Sequence, residues 1–130
     1  MNRENLQRMA DYIRTIPQAM FSMRSYRFAD ETTKECGSIG CVIGHCTVLD
    51  TNPLPTKPNG SINFNKWSDC FTETNTEQWL WCFGASWCSS DNTPDGAADR
   101  IEWLLKNGLP DDWEEQLMGK FPLCYKGGEQ

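Results

Sequence analysis

The chain holds a single histidine among 130 residues. The two-histidine helix motif of metalloproteases is therefore excluded. No Gly-rich phosphate loop and no nucleophile elbow occurs, so nothing announces nucleotide binding or hydrolase chemistry. No Cys-x-x-Cys is present, which removes the common zinc-finger, zinc-ribbon and thioredoxin-like signatures. No apolar run approaches a membrane span, and there is neither an internal repeat nor a low-complexity tract.

What is present suits one domain with one core. Six Trp, six Phe and three Tyr supply large apolar surfaces for it. Seven cysteines, an odd number, cannot all pair within one chain and read as free thiols in a reducing compartment. The opening "MNRENLQRMADYIRTI" is charged throughout and lacks the apolar centre of a secretory signal. The expected location is the cytoplasm.

The net charge of −6 is unevenly placed. Residues 1–34 are net +2. Residues 91–115 carry Asp91, Asp95, Asp99, Glu102, Asp111, Asp112, Glu114 and Glu115 against Arg100 and Lys106, a net of −6. Phosphate contacts need Lys and Arg, so direct nucleic-acid binding by this stretch is not expected. A partner with a basic surface is.

Periodicity predicts an all-α fold, a compact single-domain array of five or six short helices around a central buried helix. A first helix is expected over 3–16, with Leu6, Met9, Ile13 and Ile16 on one stripe before Pro17. Residues 18–35 carry no clean period and read as an extended segment. Ser38 is a candidate N-cap for a second helix over 39–49, apolar nearly all round, with Gly40 and Gly44 forming a close-packing strip. "DTNPLPTKPNGS" must be a loop. Phe64, Trp67 and Phe71 mark a short amphipathic helix, and Thr74 with Glu77 has capping-box spacing for the next. "GASWCSSDN" reads as a loop. Thr93-Pro94 opens a helix with Asp95 in its first turn, an inward face of Ala97, Ala98, Ile101, Leu104 and Leu105, and Gly108 at its end. A last helix carries Trp113 and Leu117, and 118–130 forms a partly irregular tail.

Four features could carry chemistry. In "CGSIGCVIGHC", Cys41 and His45 are four apart and Cys36 precedes them. Zinc could be held by Cys36, Cys41 and His45, but the spacing matches no common zinc module. The same residues could form a thiol enzyme, with Cys36 or Cys41 activated by His45 or a helix terminus. Nothing orients the imidazole as a third member, so buried inert thiols are the favoured reading. Asp111, Asp112, Glu114 and Glu115 lie at a helix start, where carboxylates are favoured by the dipole alone. They are also the candidate partner-binding face. Trp79 and Trp81 must point to different sides of one helix. Trp87, in an expected loop, is either a lid on the core or a recognition anchor.

The segment "CGSIGCVIGH", with "EQWLWCFGASWCSSDNTPDGAADRIEWLLKNGLP" after it, resembles small uncharacterised proteins of bacteriophages and prophages. Those proteins share a Cys-Gly-Thr/Ser-x-x-Cys-x-x-Gly segment and a later Trp-rich stretch with Asn-Thr-Pro. The resemblance spans 36–44 and about 79–110, and it carries no activity and no site. It implies a phage-type accessory protein that binds a host or competitor protein. Together the readings favour a non-enzymatic binding protein without a cofactor. One concrete form is an anti-CRISPR-like inhibitor of a host defence complex, its acidic surface occupying a groove that normally holds nucleic acid.

Overall fold

The computed structural model describes residues 1–23, 27–28, 39–120 and 122–126, with 27–28 and 39–40 described by their backbone. The chain folds as a helical array. Helix α1 spans Arg3–Ile13, α2 Val42–Cys46, α3 Phe64–Thr72, α4 Thr76–Phe83, α5 Trp87–Ser90, α6 Pro94–Asn107 and α7 Trp113–Leu117. Strands β1 (Arg27–Phe28) and β2 (Ile39–Gly40) pair antiparallel, Arg27 opposite Gly40 and Phe28 opposite Ile39. This small ribbon has no counterpart in the periodicity and leaves the all-α class unchanged.

The broadest helix contact joins α1 to α6. Leu6, Met9, Ala10 and Ile13 form the buried stripe of α1. Ala97, Ala98, Ile101 and Leu104 do the same for α6. Small alanines on α6 facing longer side chains on α1 let the two axes come close. At the rim, Arg14 pairs with Asp99 at 2.5 Å and Glu102 at 2.8 Å. Gln7 donates to Glu102 at 2.8 Å, and Arg3 reaches the carbonyl of Leu105. Helix α1 starts on its own cap, Asn2 accepting from the amide of Asn5 at 2.9 Å. It ends at Ile13, three residues short of expectation, in a turn that runs into Pro17.

Local capping chemistry accounts for several boundaries. The Thr93 hydroxyl accepts from Gly96 N–H at 2.9 Å, and Pro94 needs no amide partner at the first helical position. Gly108 takes φ 80° and stops α6. The expected capping box shifts by one residue: Asn75 and Gln78 exchange side-chain and backbone hydrogen bonds at 2.8 and 3.0 Å. Thr74 is already held by the Thr72 hydroxyl at 2.9 Å, and Asn caps better than Thr. The "GASWCSSDN" loop contains the short helix α5.

The expected helix over 39–49 is corrected. The chain enters as β2, turns at Cys41, makes only the five-residue α2 and continues into a 3-10 turn over Thr47–Leu49. Gly40 therefore lies in the strand, and it forms no helical strip with Gly44. Glycine and β-branched residues together disfavour a long helix here. Val42, Ile43, Gly44 and Cys46 are buried, but Val48 is 65% exposed. Ser38, the expected cap, lies outside the described residues. Within the stretch read as extended, Gln18–Met20 is a 3-10 turn that seats Phe21 and Met23 in the core.

Candidate functional site

Seven of the eight carboxylates of 91–115 fall into two sets; the eighth, Asp95, is exposed in the first turn of α6 and forms no ion pair among the described residues. Asp99 and Glu102 are held by Arg14 across the α1–α6 seam. Hydrogen bonding from Arg14 holds the Glu102 carboxyl below the usual carboxylate range, against the opposing effect of burial. Asp91 is buried and pairs with Arg100 at 3.2 Å, with Lys126 at 3.6 Å on its other oxygen. Asp111, Asp112, Glu114 and Glu115 are different. Asp111, Glu114 and Glu115 are exposed and Asp112 is half-buried. Among the described residues, no Lys or Arg forms an ion pair with any of these four. Among the described residues their side-chain tie is Asp112 accepting from Gln116 at 2.7 Å. They flank the half-buried Trp113, and Met118 follows at 60% exposure. The result is an acidic rim around apolar side chains, at the join of α6 and α7.

A buried charge centre around Arg100 was not foreseen from the sequence. Arg100 is wholly buried. Its Nη1 donates to the Asp91 carbonyl at 3.2 Å, to Asp91 Oδ2 at 3.2 Å and to the Tyr125 hydroxyl at 3.1 Å. Its guanidinium lies 4.2 Å from the ring centre of Trp87 and 5.4 Å from that of Tyr125. Trp81, Trp87 and Tyr125 meet edge to face, with ring centres 5.4 to 5.7 Å apart. Each indole is pinned as well: Trp81 Nε1 donates to the carbonyl of Arg100 at 2.9 Å, and Trp87 Nε1 to the carbonyl of Trp81 at 2.8 Å. Burial pushes the Arg100 pKa down, while Tyr125 and Asp91 push it up. Burial pushes the Tyr125 phenol up, partly offset by the nearby cation. A cation stacked on desolvated aromatic faces gains up to about 2 kcal/mol. The centre is therefore a fastener: it ties α5, α6 and the 3-10 turn Cys124–Lys126 together through one guanidinium.

Gly96 makes room for it. A Cβ there would stand 1.9 Å from Asp91 Oδ2. Helix propensity alone favours Ala over Gly by about 1 kcal/mol, but a clash of that size decides the sign the other way.

Trp87 is thus a core residue and no surface anchor, which corrects its assignment as partner-binding. Its short helix turns the indole inward, where it is fully buried. Trp79 and Trp81 do diverge as expected: Trp81 is buried and Trp79 half-buried, the latter donating to the Ser68 hydroxyl at 2.8 Å. The signal that could have revealed the centre is the position of Arg100. It lies within about 60° of both Ala97 and Leu104 on the helical wheel, and so on the apolar face.

The cysteine cluster gives a plainer picture. Cys36 lies outside the described residues. Cys41 and Cys46 are buried, and desolvation pushes both thiols up. His45 Nε2 is 2.6 Å from the carbonyl of Met20, so the ring faces backbone. The described residues assemble no activated thiol–imidazole pair here, and Cys82, fully buried, is pushed up to about 12. Among the described residues, no three His, Cys, Asp or Glu side chains gather closely enough to hold a metal ion. Cys41 and His45 are linked only through backbone, the His45 amide donating to the Cys41 carbonyl at 3.0 Å at the start of α2.

Open grooves mark the surface of the described residues. One of about 400 Å³ is lined by Arg8, Asp50, Cys70 and Phe71 among others, and one of about 640 Å³ by Asp69, Trp79 and Leu80 among others. His45 lines neither, so neither pairs a nucleophile with an imidazole base. No helix among the described residues is long and apolar enough to cross a membrane. In comparisons with known proteins, no family model matches the chain, and neither a curated protein nor a solved structure matches it.

Proposed function

We propose that the protein acts by binding, and that Asp111, Asp112, Glu114 and Glu115 form the contact surface for a basic patch on a partner protein. One observation carries this reading. These carboxylates lack a cationic partner among the described residues, although Asp91, Asp99 and Glu102 in the same stretch are each neutralised. A like-charged rim is destabilising to its own fold and gains when an opposite charge arrives. Trp113 and Met118 within the rim favour a protein surface, since aromatics and Met are enriched at protein interfaces. The phage-type resemblance supports a more specific version, in which the partner is a host defence complex and the rim occupies its nucleic-acid groove.

The test is affinity capture from host lysate at two salt concentrations, beside a variant with Asp111, Asp112, Glu114 and Glu115 all changed to Lys. A specific partner should bind more weakly as salt rises, because exposed charges are screened beyond a Debye length of about 8 Å at physiological ionic strength. The variant should lose it. A partner retained by the variant would show that the rim is not the contact surface.

A further inference from the structure

Arg100 carries five N–H bonds into a site with no access to solvent. Among the described residues only Nη1 finds acceptors: Asp91 and the Tyr125 hydroxyl. Nε and Nη2 are buried and, among the described residues, have no hydrogen-bond partner. These two nitrogens share one edge of the planar group, and their N–H bonds run parallel. It is the edge with which arginine grips a bidentate acceptor. Buried donors without an acceptor are rare, and in native proteins they commonly mark an ordered water or ion.

Charge decides which. The Asp91 side chain is 1% exposed and already balances the guanidinium from the Nη1 side. Lys126 is 49% exposed, so water neutralises much of its charge. Trp87 and Tyr125, whose ring centres lie 4.2 and 5.4 Å from the guanidinium carbon, bring no charge. An anion on the free edge would be a second buried negative charge with its own desolvation cost. A water molecule brings no net charge, and its oxygen can accept from both parallel N–H bonds. Internal waters of this type make two to four hydrogen bonds to buried polar groups, and the Arg100 edge supplies two.

We infer that the Nε–Nη2 edge of Arg100 is an internal binding site for one water molecule, enclosed with the charge centre that fastens the Cys124–Lys126 turn. The site is independent of the acidic rim, and its failure would leave the binding proposal untouched.

The measurement is water-selective cross-relaxation to the Arg100 Nε–H in the full ¹⁵N-labelled chain. The resonance is assigned by its loss in Arg100→Lys. Should that variant not fold, correlation through Cδ in the unmodified chain assigns it instead. The expected result is a water cross-peak with the sign of a molecule tumbling with the protein, unchanged when formate or chloride is added. A high-resolution crystal structure of the same chain should show one density peak within about 3.2 Å of both nitrogens. An Nε–H resonance that contacts only aromatic protons would mean a dry edge and would overturn the inference. So would a saturable shift with formate or chloride that removes the water cross-peak, since the occupant would then be an anion.

Discussion

Residues 91–107 and 108–115 each carry four acidic side chains, packed twice as densely in the second, yet apart from the exposed Asp95 they use them in opposite ways. In the first, Asp91 is enclosed with Arg100 and Tyr125, and Asp99 and Glu102 clamp Arg14. Those carboxylates hold helices together. In the second, Asp111, Glu114 and Glu115 face solvent without an ionic partner among the described residues. Net charge cannot separate these cases. A carboxylate that folding has already neutralised has little field left for a partner, whereas one held apart from every cation keeps it.

The comparison can be broken most severely at Asp91. Asp91→Asn should leave the Arg100 cation buried without its counter-charge. Urea unfolding should show a loss of about 3–5 kcal/mol. Gly96→Ala tests the same carboxylate by volume. The variant should be destabilised, read as a lower urea midpoint, although propensity alone predicts a gain of about 1 kcal/mol. Thr93→Ala removes the α6 cap and a hydrogen bond to Asp91 at 2.8 Å. It should cost about 1 kcal/mol in the same assay.

A pH series separates the seam from the rim. The folded Glu102 carboxyl titrates below its unfolded value. Its contribution is therefore present above about pH 4.3 and lost as pH falls through the depressed value. Glu102→Gln should flatten the dependence of unfolding free energy on pH across that window. The smallest effect belongs to the rim. Changing Asp111, Asp112, Glu114 and Glu115 to Lys should leave thermal stability within about 0.5 kcal/mol per site. A large loss there would mean that these carboxylates, too, are structural.

Some of this was readable in the sequence because its causes are local. Thr93, Pro94 and Gly108 set the limits of α6 through contacts within a few residues, and the apolar spacing of α1 and α6 identified their shared seam. The exposed acids at 111–115 follow from turn and helix-start chemistry alone. The segment 39–49 misled because its apolar residues satisfied a helical pattern while Gly40, Gly44 and the β-branched side chains weakened the helix itself. The charge centre was hidden for another reason. Arg100 takes partners nine residues back and 25 residues ahead, and no local rule links them. Trp87 looked like a loop tryptophan because the cation that holds it sits on a different helix.

The reach of Arg100 to Tyr125 also sets an order of events during synthesis. A nascent chain that has already exposed α1 and α6 to solvent still lacks the hydroxyl, the ring and the lysine that residues 124–126 bring to the centre. Until that turn has cleared the ribosomal exit tunnel, the guanidinium stays open to water and the tryptophan pair keeps an uncovered edge. Helix pairing can begin early, but closure of the hydrophobic interior waits for residue 125 to arrive.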